Sequence, residues 1–455
     1  MTSVKPAIIM ALAAITLSPL QAADRENGLP GDAEPLRISI DEAVELALEK
    51  SFRLSRSRRN LESAEARIDQ AEAAYWPRVG VELYSSQSRR GLSGDRRGGL
   101  DPQFAGNIYA SASLPIDIRG VIGRQVKQAR LSRQAAEIER QGTLVDLNFE
   151  VRTAYMSALR AQSILAVDEE NVVLVADLLS RSRRSAPAAV PFLEVELATA
   201  RQAAIGSRQV LDSTLDHLKQ ALRLSPETVL ELTTGVAAST ERLSANGVDA
   251  AQAVKDRTDA RQAEIRIDQA RLGIQQADDY LEPSLRIGAY YNASVFGEYP
   301  HRRRDQRNFN DGGIFITLII PLVRLDGGFL NAARKQAQIQ WEQSLADLDE
   351  ARERIQLDIR QALLQLQRAE TRLMTLPSRT QSFRALQQAE EALLSAPPQQ
   401  MPGAMAQVSN ARASFHFTET TAIDAYAEYN LAAFRLLRAM GLTRAPADQD
   451  QAPLD

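Results

Sequence analysis

Residues 79–115 read VGVELYSSQSRRGLSGDRRGGLDPQFAGNIYASASLP, and this stretch decides the fold. Val79, Val81 and Leu83 alternate with Gly80, Glu82 and Tyr84; on the return, Ile108, Ala110, Ala112 and Leu114 alternate with Tyr109, Ser111 and Ser113. Successive side chains of a strand point to opposite faces. The pattern predicts two strands, each with one apolar and one small or polar face, joined by a loop rich in Gly and Arg. A lone hairpin is marginal in water. This one needs further strands beside it and something dry against its apolar face.

A second hairpin supplies the strands. Leu285, Ile287, Ala289 and Tyr291 alternate with Arg286, Gly288, Tyr290 and Asn292, and Ile314, Ile316, Leu318 and Ile320 alternate with Phe315, Thr317 and Ile319. Pro77 and Pro283 precede the two rising strands and lie 206 residues apart (283 less 77), as do Pro115 and Pro321 at the ends of the falling strands (321 less 115). One offset from two independent markers indicates an internal duplication. It sets the domain plan: a first repeat over 38–235 with its hairpin at 78–115, and a second over 244–442 with its hairpin at 284–321.

The chain opens MTSVKPAIIMALAAITLSPLQAAD, with Lys5, an apolar run from Ala7 to Leu17 and a small-residue exit at Ala22-Ala23. That is the pattern of a secretory signal peptide over 1–23, its apolar run well short of the roughly 20 residues of a spanning helix. Without Lys5 the chain carries 53 basic against 58 acidic residues, an ordinary acidic surface that argues against nucleic acid. It has no cysteine, hence no disulfide and no thiolate metal site. No later stretch is apolar enough to span a membrane as a helix, but alternating barrel strands escape that criterion.

Residues 24–37 are polar and punctuated by Gly28, Pro30, Gly31 and Pro35, and read as a mobile start; 443–455 reads as a disordered tail. Ser39 with Glu42 forms a capping box ahead of one helix running to Tyr75-Trp76-Pro77. After Pro115 the next proline is Pro187, and Leu144, Val151, Ala158, Leu165, Val172 and Leu179 recur every seven residues, with Asp168 breaking the companion series Leu147, Ala154, Ala161, Val175. This is a coiled-coil seam. Some 65 residues at 1.5 Å each give a rod of about 100 Å. A return helix follows from Phe192, then a short extended segment within LRLSPETVLELTTGVAAS. The second repeat has its own heptads, Leu348, Ile355, Ala362, Ala369 and Leu376 with Ile359, Leu366 and Leu373. Pro377 should kink or interrupt that rod, and Gly441 caps the final helix.

The sequence holds no catalytic or metal-binding constellation. His217, His301 and His416 are far apart, without a ligand pair at helical spacing, and read as surface or loop residues. Glu169-Glu170 and Asp278-Asp279 lie on helices of mixed charge and read as solvated faces. The chain is read as no enzyme, with no cofactor and no metal.

Several stretches in combination carry a resemblance: ISIDEAVELALEKS (38–51), AEARIDQAEAAYWPRVGVELYSS (64–86), FLEVELATARQA (192–203), ARLGIQQADDYLEPSLRIGAYYN (270–292), PLVRLDGGFLNAARKQAQ (321–338) and LAAFRLLRAMG (431–441). At this spacing the chain resembles the outer-membrane efflux protein (TolC-like) family over nearly its whole mature length. The resemblance implies a mainly α protein with transmembrane β: a homotrimer whose chains give four strands each, near 78–88, 106–115, 285–294 and 312–321, to one shared barrel in the outer membrane. Long coiled-coil helices would form a tunnel across the periplasm. It further implies an exit duct for efflux or type I secretion, docked through a periplasmic adaptor to an inner-membrane pump. The alternatives are a simple porin and a periplasmic coiled-coil scaffold; the heptad rods argue against the first and the hairpins against the second.

In that frame each set of residues receives a role. Val79, Val81, Leu83, Ile108, Ala110, Leu114, Leu285, Ile287, Ile314, Ile316, Leu318 and Ile320 face outer-membrane lipid. Arg89, Arg90, Arg96, Arg97, Arg302, Arg303 and Arg304 occupy extracellular loops, read first as solvated loops and otherwise as guanidinium forks that suit lipopolysaccharide phosphates. The proline-rich rod tips dock the adaptor by exposed apolar surface: Ala186, Pro187, Val190 and Pro191 with Leu193 and Val195 in the first, Pro397, Pro398, Met401 and Pro402 in the second. The tips depart from the family's habit. Where members often carry Gly and Asp at the first rod turn, this chain is proline-rich, and no Asp or Glu occurs from Leu393 to Thr418.

Overall fold

The structure is a computed structural model that describes residues 35–91, 100–236, 250–279, 282–298, 307–320 and 327–443. The expected leader, most of the expected mobile start, Arg96, Arg97, Arg302, Arg303, Arg304, His301, Pro321 and nearly all of the tail lie outside those residues.

Ser39 caps α1 (Ile40–Lys50) in the expected box with Glu42. The single helix read from the sequence is in fact two. At Ser51 the backbone is extended, and its hydroxyl accepts from the Leu54 amide to start α2 (Phe52–Glu72). A tight turn at Ala73–Tyr75 leads through Pro77 into β2 (Arg78–Gly91), which pairs antiparallel with β3 (Leu100–Ile116). Gly120, at φ 75°, admits α3 (Val121–Ser185), an unbroken helix of 65 residues. The chain reverses at Pro187–Ala189 and returns as α4 (Val190–Leu222). β4 (Leu230–Leu232) is the expected extended segment. Its partner is β1 (Leu36–Ile38), running parallel, so residues 36 and 37 form a strand and not the end of a mobile arm.

The second repeat runs α5 (Ala250–Asp256), α6 (Thr258–Ala277), β5 (Ser284–Glu298), β6 (Arg307–Ile319), α7 (Phe329–Met374), α8 (Arg379–Ser395) and α9 (Met401–Met440). α2 and α6 start 206 residues apart (258 less 52), as do β2 and β5 (284 less 78). The rod is interrupted around Pro377 as expected, and Ser378 caps α8 by accepting from the Gln381 amide. Gly441, at φ 75°, closes α9.

The heptad positions do what their spacing implies. Leu147, Val151, Ala158, Ala161, Leu165, Val175 and Leu179 are buried on α3, and Leu348, Ile355, Ile359, Ala362, Leu366 and Ala369 on α7. They contribute to separate apolar cores. One joins α1, α3 and α4 around Tyr155, Met156 and Leu218, with Phe434 from α9. A second joins α7 and α9 around Ile355, Leu366 and Leu436. A third lies at the rod tips, where Leu178, Leu193, Leu393, Met401 and Val408 meet. Tyr155 ties the first core to the short parallel sheet by donating to the Ile38 carbonyl at 3.0 Å.

Candidate functional site

The four long strands form one sheet in the order β2-β3-β5-β6. Its registers show how two amphipathic hairpins make a two-faced surface. Val81 stands opposite Ala110, Ala110 opposite Tyr291; Leu114 stands opposite Ile287, and Ile287 opposite Ile316. Directly paired residues share a face. The apolar residues singled out in the sequence therefore fall on one side: Val79, Val81 and Leu83 of β2, Ile108, Ala110 and Leu114 of β3, Leu285 and Ile287 of β5, Ile314, Ile316 and Leu318 of β6. Ile320 lies one residue beyond β6. Within one chain this face is bare, with Val79 77 %, Ile316 70 % and Ile314 83 % exposed. Arg89 and Arg90 sit inside β2, opposite Pro102 and Asp101, and not in a loop.

The other face carries Arg78, Glu82 and Tyr84 of β2, Ser111, Ser113 and Tyr109 of β3, Arg286, Tyr290 and Asn292 of β5, Thr317 and Asp311 of β6. Tyr109 and Tyr290 stack with centroids 6.0 Å apart, and the Tyr290 hydroxyl donates to Asp311 at 3.2 Å. Gly288 is needed here: a Cβ would stand 2.5 Å from both the Ala112 carbonyl and the Phe315 ring.

Where sheet meets rods, charges knit the junction, two of the pairs across the repeats and one within the second. Arg124 of α3 pairs with Asp279, Arg119 with Glu282 at 2.9 Å, and Arg334 of α7 with Asp278. Asp117 accepts from the Gly123 amide at 2.9 Å and from the Tyr75 hydroxyl at 3.3 Å. Trp76 is 73 % exposed beside this layer. A cavity of about 400 Å³ opens here, lined by Arg78, Ser113, Pro115, Arg119 and Arg286 among others.

Partway along the rods lies a polar node that the sequence reading missed. Buried Asp168 of α3 accepts from Ser207 of α4 and lies 2.6 Å from His416 Nε2 of α9. His416 is thus no loop histidine; its visible signal was Asp168 breaking the heptad. Asp168 stands between Ser207 and His416, so the histidine does not reach the hydroxyl as a base would in nucleophilic catalysis. Nearer the tips, Arg412 is 4 % exposed between Glu390 at 3.7 Å and Glu196 at 3.8 Å, and Arg181 reaches Glu390 at 3.0 Å. Burial pulls the Arg412 guanidinium below its usual pKa, against the opposing pull of Glu390 and Glu196. Among the described residues no cluster of three or more His, Asp or Glu is placed to hold a metal, and no helix is long and apolar enough to cross a membrane.

The tips divide the ten residues named for docking. Ala186, Leu193 and Met401 are buried in the tip core and offer no contact surface, and Val190 is half-buried against it. Helix reversal brings the two tips together, so their apolar residues find each other first. Pro187, Pro191, Val195, Pro397, Pro398 and Pro402 remain exposed around that core.

This architecture, two hairpins on one sheet over long paired rods, has known counterparts. Residues 43–188, from α1 to the first tip, match the family described as outer membrane efflux protein. The likeness read from the sequence stands. No curated protein matches the chain. Among solved structures, the open state of the Neisseria gonorrhoeae MtrE outer membrane channel superposes with a TM-score of 0.72 at 15 % identity, covering 89 % of each chain. The Vibrio cholerae outer membrane protein VceC gives 0.66 at 18 %, covering 88 % of this chain and 96 % of its own. The Campylobacter jejuni CmeC outer membrane channel gives 0.67 at 13 %, over 88 % and 85 %. At such identities the likeness is one of fold. It covers both repeats, where the family match covers only the first.

Proposed function

We propose that this chain is the outer-membrane channel of an efflux or type I secretion system, a trimeric passive conduit docked to a periplasmic adaptor and an inner-membrane pump. One observation carries the reading. The sheet presents an apolar band across all four strands, while β2 and β6 are its edges. Lipid suits that face but tolerates no open edge, because unpaired backbone groups have no water to bond there. Four strands are too few to close on themselves. Three chains joined β6 to β2 give twelve strands and no edge. The apolar face then meets lipid, the polar face lines the lumen, and Trp76 sits where aromatic residues favour the membrane boundary. α3, at about 100 Å, reaches well beyond a bilayer and fits a periplasmic tunnel. The family match and the channels of like fold support the same reading. The exposed prolines at the two tips form the surface offered to the adaptor. The protein does no chemistry on its cargo.

Mass measurement in detergent tests the assembly: a trimer of the full chain is expected, recovered with the outer membrane on fractionation. A stable, folded monomer in that membrane would overturn the shared barrel.

A further inference from the structure

The arginines at the barrel–rod junction fall into two sets. Arg119, Arg124 and Arg334 each hold a carboxylate. Arg78 and Arg286 have no carboxylate within 4.0 Å among the described residues, although Asp117, Asp279 and Glu282 line the same cavity of about 400 Å³. The registers put Arg78 opposite Ser113 and Arg286 opposite Pro115, two residues further along β3, with both on the polar face and both exposed. Among the described residues the junction's acids are engaged: Asp279 and Glu282 by arginines, Asp117 by the Gly123 amide and the Tyr75 hydroxyl. The two guanidiniums therefore line that cavity, exposed at the base of the sheet.

We propose that Arg78 and Arg286 form a cationic ring at the inner mouth of the barrel that selects for anionic cargo, carboxylate- or phosphate-bearing. This rests on the polar face being the lumen of a trimer. Three chains then place six guanidiniums, without a carboxylate partner among the described residues, around the inner mouth, each a fork suited to such groups. The acidic residues of that face do not cancel the ring. Glu82 lies four residues along β2 from Arg78, about 13 Å at strand rise, and Asp311 stands opposite Asn292, six residues along β5 from Arg286, about 20 Å. At 0.1 M salt the screening length is about 10 Å, so neither reaches the ring; of the described acids in the cavity, Asp279 and Glu282 are offset by Arg124 and Arg119, and Asp117 alone opposes the two arginines of each chain, which leaves the ring net positive. Charged rings of one sign are how pores set ion preference.

The test is the reversal potential of the purified, full-length protein in planar bilayers under a potassium chloride gradient. The wild type should prefer chloride. Arg78→Gln with Arg286→Gln should remove that preference, and Arg78→Glu with Arg286→Glu should reverse its sign. Arg78→Lys with Arg286→Lys should keep the sign. A wild type that prefers potassium, or substitutions that leave the reversal potential unmoved in conducting channels, overturn the ring. Assembled protein that never conducts overturns the channel reading itself and the ring with it.

Discussion

In the first repeat the rod that leaves the sheet, α3, runs 65 residues without a break; in the second, α7 stops after 46 and α8 resumes beyond Pro377. At the sheet the repeats coincide. Val79, Val81, Ile108 and Ala110 have Leu285, Ile287, Ile314 and Ile316 as counterparts 206 positions on (285 less 79), all apolar and all on one face. Away from the sheet they diverge, and both irregularities fall at one level. His416 of α9 meets Asp168, the polar interruption of α3; Glu419, one turn along α9, meets Arg379, the first residue after the break in the second rod. In the proposed channel both repeats would face the same lipid at one end, which would hold them alike. At the other end they pack against each other and are free to differ in complementary ways.

The largest effect should come where the repeats differ most. Glu390→Ala removes the nearer carboxylate from the buried Arg412 guanidinium. Stranding a buried charge costs roughly 3–5 kcal/mol. We expect the tip core to loosen, read as protease cleavage near Ser395–Gln400 and a lower unfolding temperature, with the sheet intact. A tip that resists protease as the wild type does would mean that Arg412 is neutralised some other way.

The sheet end offers the symmetric counterpart. Val81→Arg and Ile287→Arg occupy equivalent places in the two repeats, and each should cost about 2–4 kcal/mol near the midplane. Assembled trimer in the outer membrane should fall by similar amounts for both, and for Ile316→Arg, while Thr317→Arg on the opposite face should assemble. Unequal losses at 81 and 287 would break the claimed equivalence; loss at 317 would reverse the faces.

At the shared level, Asp168→Ala leaves Ser207 and His416 without their acceptor. An unmatched buried polar group costs about 1–3 kcal/mol. Replacing both Asp168 and His416 by leucine restores an apolar seam and should recover most of that loss in thermal unfolding. A double variant no more stable than Asp168→Ala would show that the node is held by more than its polar pairing.

The smallest effect on the fold should come from the exposed tip rim. Pro187→Asp with Pro398→Asp should change stability by no more than about 0.5 kcal/mol, as surface changes do, yet abolish export. Cysteines at Ala188 and Gln400 should crosslink to the adaptor. Normal export by the double variant would move the docking surface elsewhere on the rods. The pair Val190 and Met401 would make a poorer test, because Met401 belongs to the tip core.

The sheet was almost fully legible in the sequence, because period-two alternation and the flanking prolines are local signals that the duplication repeats. The rods were legible for the same reason: one heptad is visible within a few turns. Ser51 escaped because a single residue in extended conformation barely disturbs the surrounding helical spacing, although its hydroxyl lies three residues before the Leu54 amide it caps. Pairings between distant segments were beyond reach. Leu36 meets Leu230, and Asp168 meets His416, only after the chain has folded back on itself. The tips show the same limit: Ala186, Leu193 and Met401 have the composition of an exposed patch, and only the approach of the other tip turns them into a core.

The open edges of the sheet bear on how the protein comes to exist at all. A lone chain carries two rows of unpaired backbone groups along β2 and β6, and such rows invite pairing with any available strand. In the proposed assembly only another copy satisfies them. The membrane part then has no stable monomeric state, and its stability is tied by mass action to the concentration of chains. Dilution should act on it as a denaturant, and a chain that arrives early at the membrane must wait for two more.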